Sequence, residues 1–439
     1  MSKKKWRFLS GLVAIACSAI LLAGCSSSGE KKSAETSDTK GKTLKVWTFT
    51  DDMKKIINKY YIPAHKDMDY KIKVTVVPFE NFQTKLDPVL GTKNGPDLIA
   101  LDASFVKKYV NSGKMADLSQ VGIKSASKDT IGYVKKVGQD ESGHQVALSW
   151  QATPGAFYYR ASLAKSLLGV TTPEEMQAKI SDAASFTATA KEVKEKSNGK
   201  VFMVSSISDL FEPMIGARKD PWVVDNKLTI DKSMYDLMDM GKEFVSQKLT
   251  QDTTEQSSEY FSGMSSDNIF GYSLPSWGLF YWLQPNAKSS KTGNDTSGDW
   301  RVTTGPWEYA WGGTYLGAVK DSAMEKEAAK IAKWVATSAS FQKKWAKDQN
   351  DFVSNTKVVK EIEGDFKSDF LGGQNQYKQF ETSAAGINGN LWTKYDQSIQ
   401  ILFVDNAVTP YSQGKVTKTE AIKNFKDAVQ NAYPDVEIK

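Results

Sequence analysis

The chain has almost no cysteine. Its only two, Cys17 and Cys25, fall within the first 25 of 439 residues. Everything after residue 25 must hold together by packing, with neither a disulfide nor an internal thiol. Histidine is as scarce: His65 and His144 stand alone, with no neighbouring His or Cys. That nearly excludes a zinc site of nitrogen and sulfur ligands, and it leaves cysteine or serine–histidine nucleophilic chemistry without a constellation. No metal and no cofactor are expected. After the N-terminal apolar run, nothing approaches the ~20 residues that a membrane span needs. Charge of one sign is missing too. The first 24 residues hold four basic and no acidic side chains, so without them the formal net charge falls from +6 to +2. A nucleic-acid partner usually shows as a basic domain or stripe, and none is expected here.

What the N-terminus does contain is ordered. Lys3, Lys4, Lys5 and Arg7 precede a mostly apolar run from Phe8 to Ala23, which ends in Leu22-Ala23-Gly24-Cys25. A basic start, a short apolar stretch and small residues before a cut site read as a secretory signal over residues 1–24. The ending resembles the bacterial lipobox. That resemblance implies that Cys25 is acylated, becomes the new N-terminus and anchors the protein on the extracytoplasmic face of the cell membrane. Two or more acyl chains make a stable anchor, at ~0.8 kcal/mol per buried methylene. Residues 25–42 are rich in Ser, Gly, Lys, Glu and Thr without periodicity, and read as a flexible stalk.

Order is expected from Thr43. Residues 43–50, 71–79 and 97–101 are β-prone, with helical patterns between and after them. Asp51 and Asp52 stand where a helix cap belongs. Strands alternating with helices imply a mostly parallel sheet covered on both faces, with ligand beyond the carboxyl ends of the strands. Around 139–160 the pattern changes to extended chain broken by Pro154 and Gly155, which suits a crossing between lobes. Asp225-Asn226 between short β runs predicts a hairpin. Met234, Leu237, Met238, Gly241 and Val245 recur at helical spacing and predict one buried face. Beyond residue 323 the chain reads as mainly helical.

The aromatic load is the most informative feature, with 12 Trp, 17 Tyr and 20 Phe. Many sit among Gly, Pro and Ser: Trp47, residues 149–155, 275–278 and 305–313. A sugar has apolar C–H faces that a flat ring covers, and a hydroxyl rim that Asp, Glu, Asn, Gln and Arg can bond. Any single Trp could equally be core, because large aromatics are highly buried on average.

Taken in order, LKVWTF, PDLIALD, WQATPGAFYYR, PSWG and GPWEYAWGGTYLGAV resemble the extracellular solute-binding proteins of ABC transporters, and within them the maltodextrin and multiple-sugar-binding group. The resemblance implies a two-lobed α/β fold of the periplasmic-binding-protein type II, each lobe a mostly parallel sheet flanked by helices, joined by a multi-strand hinge. Lobe one would be residues 43–150 and 312–349, and lobe two residues 151–311 and 350–439. It implies that Trp47, Thr48 and Phe49 line the first-lobe edge and that Asp102 accepts a sugar hydroxyl. Trp150 and Gln151 would face the ligand from the hinge, with Gln where an acidic residue is commoner. Trp277 would be a stacking platform, and Trp311, Gly312 and Gly313 would approach the ligand at the return crossing. Asp209 and Glu212 are weaker candidates, for which surface or capping roles stay open. The function implied is capture of a carbohydrate, an oligosaccharide by preference, and its delivery to permease subunits by a monomer that is not an enzyme. Two alternatives stay open. A secreted glycoside hydrolase would need two carboxylates ~5–9.5 Å apart. The other is a receptor for a peptide or polyamine, and a polyamine site would want several acidic residues with the aromatics.

Overall fold

Strand and helix formation follow the residue pattern closely through the first hundred residues of the ordered chain. The computed structural model describes residues 39–438. The signal peptide, Cys25 and nearly all of the stalk lie outside the described residues. The strands are β1 (Thr43–Thr48), β2 (Lys71–Val76), β3 (Leu98–Asp102), β4 (Leu148–Ser149), β5 (Gly155–Arg160), β6 (Phe202–Val204), β7 (Val223–Val224), β8 (Lys227–Leu228), β9 (Ile269–Pro275), β10 (Trp300–Thr303) and β11 (Thr314–Ala318).

The first sheet has the order β2-β1-β3-β11-β4 and the second β10-β5-β9-β6. In β1, Leu44, Val46 and Thr48 are buried while Lys45 and Trp47 are less so, the period-two alternation of a half-covered strand. Central β3 is buried at every position, as a strand covered on both faces must be. β1 runs parallel to β2 and β3, but β11 is antiparallel to both β3 and β4. In the second sheet only β6 and β9 are parallel, and β5 is antiparallel to β10 and β9. The expectation of a mostly parallel sheet in each lobe is therefore corrected: both sheets are mixed. Parallel neighbours need a crossover that turns the chain round. β5 and β11 instead arrive directly from the other sheet, so they enter against the local direction.

Smaller expectations resolve individually. Asp225 and Asn226 take φ of +48° and +62° and close the β7–β8 hairpin, the left-handed pair that a two-residue turn requires. The helix Lys232–Ser246 buries Met234, Leu237, Met238 and Gly241 as predicted, but Phe244 rather than Val245 completes the face. Asp51 is the residue before the helix Asp52–Ile56, yet its side chain makes no capping bond. Asp52 is buried and accepts the Tyr281 hydroxyl at 2.7 Å instead. Helices dominate the C-terminal part: Glu325–Thr337, Ala339–Gln349, Thr356–Glu363, Gln376–Gly386, Asp396–Phe403 and Lys418–Ala432.

Between the sheets three segments lie side by side. The first, Ser149 to Gly155, is flanked on one side by Tyr309 to Gly313: Gly155 N–H donates to the Tyr309 carbonyl at 2.7 Å and Trp311 N–H to the Thr153 carbonyl at 3.2 Å. On the other side, Ala152 N–H donates to the Phe352 carbonyl at 2.9 Å and Ser354 N–H to the Trp150 carbonyl at 2.8 Å. Side chains lock this triple ribbon. Gln151 Nε2 donates to Asp351 Oδ2 at 2.9 Å, and Gln151 Oε1 accepts from Thr314 N–H at 3.1 Å. Trp345 Nε1 reaches the same Asp351 oxygen at 2.8 Å.

Asp351 is wholly buried with no cationic partner, and burial pushes its carboxyl up to about 7. A free aspartate titrates near 3.9. Between those values the folded chain holds a proton that the unfolded chain has released, so stability falls as pH rises from about 4 towards about 7. Asp351→Asn keeps an oxygen for Gln151 and Trp345 but carries no charge. Its unfolding free energy relative to the parent should rise between pH 5 and pH 8 by ~1–3 kcal/mol, from ~1.4 kcal/mol per pKa unit. Urea melts of both proteins at the two pH values check this. An unchanged difference would show that the Asp351 proton does not distinguish folded from unfolded chain.

Candidate functional site

The site grows from the ends of strands that meet at the hinge. β9 is buried along its whole length, then turns sharply at Ser276. That residue is pinned to the first crossing, its N–H on the Pro154 carbonyl and its Oγ on the Ala152 carbonyl. Trp277 follows, and its Nε1 donates to the Trp311 carbonyl on the return crossing at 2.8 Å. Trp282 completes a group of three. Ring centroids are 5.1 Å apart for Trp277–Trp282, 5.7 Å for Trp277–Trp311 and 5.4 Å for Trp282–Trp311, with interplanar angles of 85°, 65° and 78°. All three indoles stay partly exposed. Gly312 and Gly313 make the approach possible. Their φ values are +69° and +104°, and a Cβ on Gly312 would lie 2.9 Å from Trp277 Nε1. The close approach expected of these glycines is thus to Trp277 and Thr153 of the chain itself.

One carboxylate lies next to the return crossing that carries Trp311, since Asp102 pairs with Thr314 across β3 and β11. Asp102 ends β3, is buried, and accepts Ser104 N–H at 2.9 Å; burial raises its carboxyl above the usual range. Glu212, on the helix Ser208–Gly216, is half-buried and meets the Gln400 amide at 3.3 Å from each oxygen. Burial pushes it up to about 7, with the Asp102 charge adding to the effect. The two come from different parts of the chain, Asp102 from the end of β3 and Glu212 from a helix. Glu255, in the polar stretch before the helix Ser258–Gly263, is raised by burial and then by Glu212 and Asp209.

Asp209 is different. Its oxygens accept Ser206 N–H at 3.0 Å, Ser273 N–H at 3.2 Å and Tyr260 Oη at 3.2 Å, while burial raises it to about 7. These bonds tie the helix Ser208–Gly216 to β9, so its carboxylate is already committed to the fold.

Of the other expected residues, Trp150, Gln151 and Thr48 are buried, while Trp47 and Phe49 stay partly exposed. Trp150 is 0% exposed and packs edge-on against Trp345, centroids 6.3 Å apart. It is core, and its expected role as a ligand-facing ring is corrected, because both faces of the indole are covered by protein. Gln151 is corrected likewise, since both ends of its amide are spent on Asp351 and Thr314. Thr48 is fully buried and bonds the Thr50 carbonyl. Phe49 packs against Phe79, Phe82 and Phe105. Trp47 is partly exposed on β1 between Thr75 and Ile99 of its neighbours. A separate cavity of about 520 Å³, lined by Tyr133, Lys136, Phe352, Glu381 and Asn390 among others, contains none of the expected residues.

Three contributors escaped the sequence reading. Trp282 sits within five residues of Trp277, and that proximity was the available signal. Glu255 lies in a run of Thr, Gln and Ser with no periodicity, and Gln400 on a helix that looks amphipathic like any other. Only the fold brings these two to Glu212.

The matrix of strands, crossings and carboxylates has counterparts among known proteins. The model of a family described as bacterial extracellular solute-binding protein matches residues 34–370, well over half of the chain. No curated protein matches the chain. Among solved structures, an extracellular solute-binding protein of family 1 aligns with TM-score 0.74 at 18% identity, over 88% of this chain and 99% of that one. An ABC-transporter-associated binding protein from B. animalis subsp. lactis, solved with β-1,6-galactobiose, aligns with TM-score 0.69 at 18% identity, over 91% and 100%. The galacto-N-biose/lacto-N-biose I-binding protein from Bifidobacterium longum, solved with lacto-N-biose, aligns with TM-score 0.68 at 16% identity, over 92% and 99%. At such identities these structures establish the two-lobed fold. The chain belongs to the bacterial extracellular solute-binding proteins.

Proposed function

We propose that this protein captures a carbohydrate, an oligosaccharide by preference, in the cleft between its two lobes and presents it to the permease subunits of an ABC importer. Lobe one is residues 43–150 and 312–349, and lobe two residues 151–311 and 350–439. The observation that carries the reading is the group formed by Trp277, Trp282 and Trp311, partly exposed at the hinge, with Asp102 at the end of the strand that pairs with the return crossing. Indole faces suit the C–H surface of a pyranose, and carboxylates are strong acceptors for its hydroxyls. Two similarly folded proteins hold disaccharides, which supports the same ligand class here.

Binding acts through closure. Tyr281, after β9, donates to Asp52, after β1, and Gln83 donates to Gln397 at 2.5 Å. These bonds join the two sides directly. A ligand that touches both sides favours the closed arrangement by its own differential contacts. The permease then reads the closed form. Cys25 carries the lipid that keeps the monomer at the membrane. The protein binds and releases its ligand without cleaving it.

Two outcomes test this. Trp311→Ala should weaken oligosaccharide binding about tenfold or more, equal to ~1.4 kcal/mol, with the urea midpoint shifted much less than for a core tryptophan. Titration calorimetry over a panel of oligosaccharides measures the affinity, and chromatography of the same mixtures checks for cleavage. Unchanged affinity in the variant would remove the indoles from the site, and accumulating shorter sugars would make the protein a hydrolase. Cys25→Ser should move the protein from the membrane fraction into the medium, read by immunoblot. Retention with the membrane would show that another element anchors it.

A further inference from the structure

One contact between the lobes is made by backbone rather than by side chains. The segment from Ile387 to Tyr395 joins the helix Gln376–Gly386 to the helix Asp396–Phe403. Asn388 and Asn390 are exposed, but Gly389 between them is buried. What covers it is the helix Gly132–Val137 of the other lobe: a Cβ on Gly389 would lie 2.8 Å from Lys136 Cβ and 3.0 Å from Tyr133 Cα. Only a residue without a side chain lets the segment lie this near the helix. Trp392 adds a ring stacked on Tyr133, with centroids 6.3 Å apart and planes 19° from parallel.

The segment is rooted in its own lobe. Arg218 Nη2 donates to the Leu391 carbonyl at 3.3 Å and pairs with Asp396, whose carboxylate also accepts Thr393 N–H. Its seat in the other lobe leads to the hinge. Tyr133 Oη accepts Thr153 N–H at 2.7 Å, and the Thr153 carbonyl holds Trp311 N–H. The contact is also narrow. Cavities of about 520 Å³ and about 420 Å³ lie to either side, and Lys136, Gly389 and Asn390 border both. A packed core has few voids of that size, so the lobes can part along this line without opening a core.

We infer that residues 387–395 form a latch, seated on the helix Gly132–Val137 in the closed arrangement and released in the open one, and that Gly389 and Trp392 set how far the closed form is favoured. This rests on the reading above of a cleft that closes on its ligand, and names the element that regulates it. When only part of the ligand-free population is in the binding form, apparent affinity scales with that part. A contact made only on closure therefore tightens binding without touching the ligand.

The test adds bulk at the seat with Gly389→Val and removes the stack with Trp392→Ala. Small-angle scattering of the ligand-free proteins should give both variants a larger radius of gyration than the parent. Calorimetry with maltotriose, cellotriose and β-1,6-galactobiose should show whichever sugar the parent binds held about tenfold more weakly in Gly389→Val, or ~1.4 kcal/mol, and about threefold more weakly in Trp392→Ala. Urea midpoints should stay near the parent's, because the open form accommodates both changes. Equal radii, or parental affinity in either variant, would overturn the latch. So would a Trp392→Ala midpoint lowered as far as that of Trp150→Ala, since the contact would then belong to the permanent fold. That comparison holds even where Gly389→Val fails to fold. A parent that binds none of the three sugars would overturn the carbohydrate reading alone, and the radii would still decide the latch.

Discussion

Gln151 has one side-chain amide, and the hinge uses both ends of it. The NH2 group reaches Asp351 on the third crossing and the carbonyl receives the Thr314 N–H where the second crossing becomes β11. One residue of the first crossing thus fixes the register of the other two. Each such bond contributes only ~0.5–1.5 kcal/mol net, but leaving a buried partner unsatisfied costs ~1–3 kcal/mol. The arrangement is therefore easier to keep whole than to keep in part. The indole group hangs on the same ribbon: Trp311 N–H is held by the Thr153 carbonyl, Ser276 by Ala152 and Pro154, and Trp277 by the Trp311 carbonyl. Its position follows the hinge rather than the outer surface of either sheet.

The near-perpendicular indoles serve that placement. Aromatic quadrupoles favour edge-to-face contact, and three such contacts let each ring buttress the others while part of each stays open. Gly312 is required because any side chain there would strike Trp277. Tyr281–Asp52 and Gln83–Gln397 join the two sides directly, and each is worth only ~0.5–1.5 kcal/mol net. Under the proposed function a ligand with many hydroxyls outweighs them, and closure is decided by what enters.

The strands near the N-terminus were legible because their signal is local. β1 alternates and β3 is a continuous apolar run, and both patterns are readable within six residues. Sheet direction was not legible. Whether a strand pairs parallel or antiparallel depends on where the chain came from, and β5 and β11 come from the opposite sheet. The glycines at 312 and 313 were readable as places of close approach, since only glycine tolerates their φ. What they approach was not readable, because Trp277 is more than thirty residues away. Glu212 was visible only as one acid among many; its weight comes from Asp102, Gln400 and Glu255 arriving from distant parts of the chain.

Trp150 and Trp277 show the limit most sharply. Each follows a serine and stands near a glycine and a proline, so the local sequence assigns them the same role. Their fates differ through one long-range partner. The helix Ala339–Gln349 brings Trp345 onto Trp150 and seals it in the core. No such helix covers Trp277, whose neighbours are Trp282 and Trp311 on the cleft side. The same residue type at the same kind of turn becomes hinge filling in one case and a partly exposed ring in the other. A tryptophan's function here is set by which side of the triple ribbon it leaves from. That is a property of the crossings, and hence of the amide at Gln151 that holds them in register.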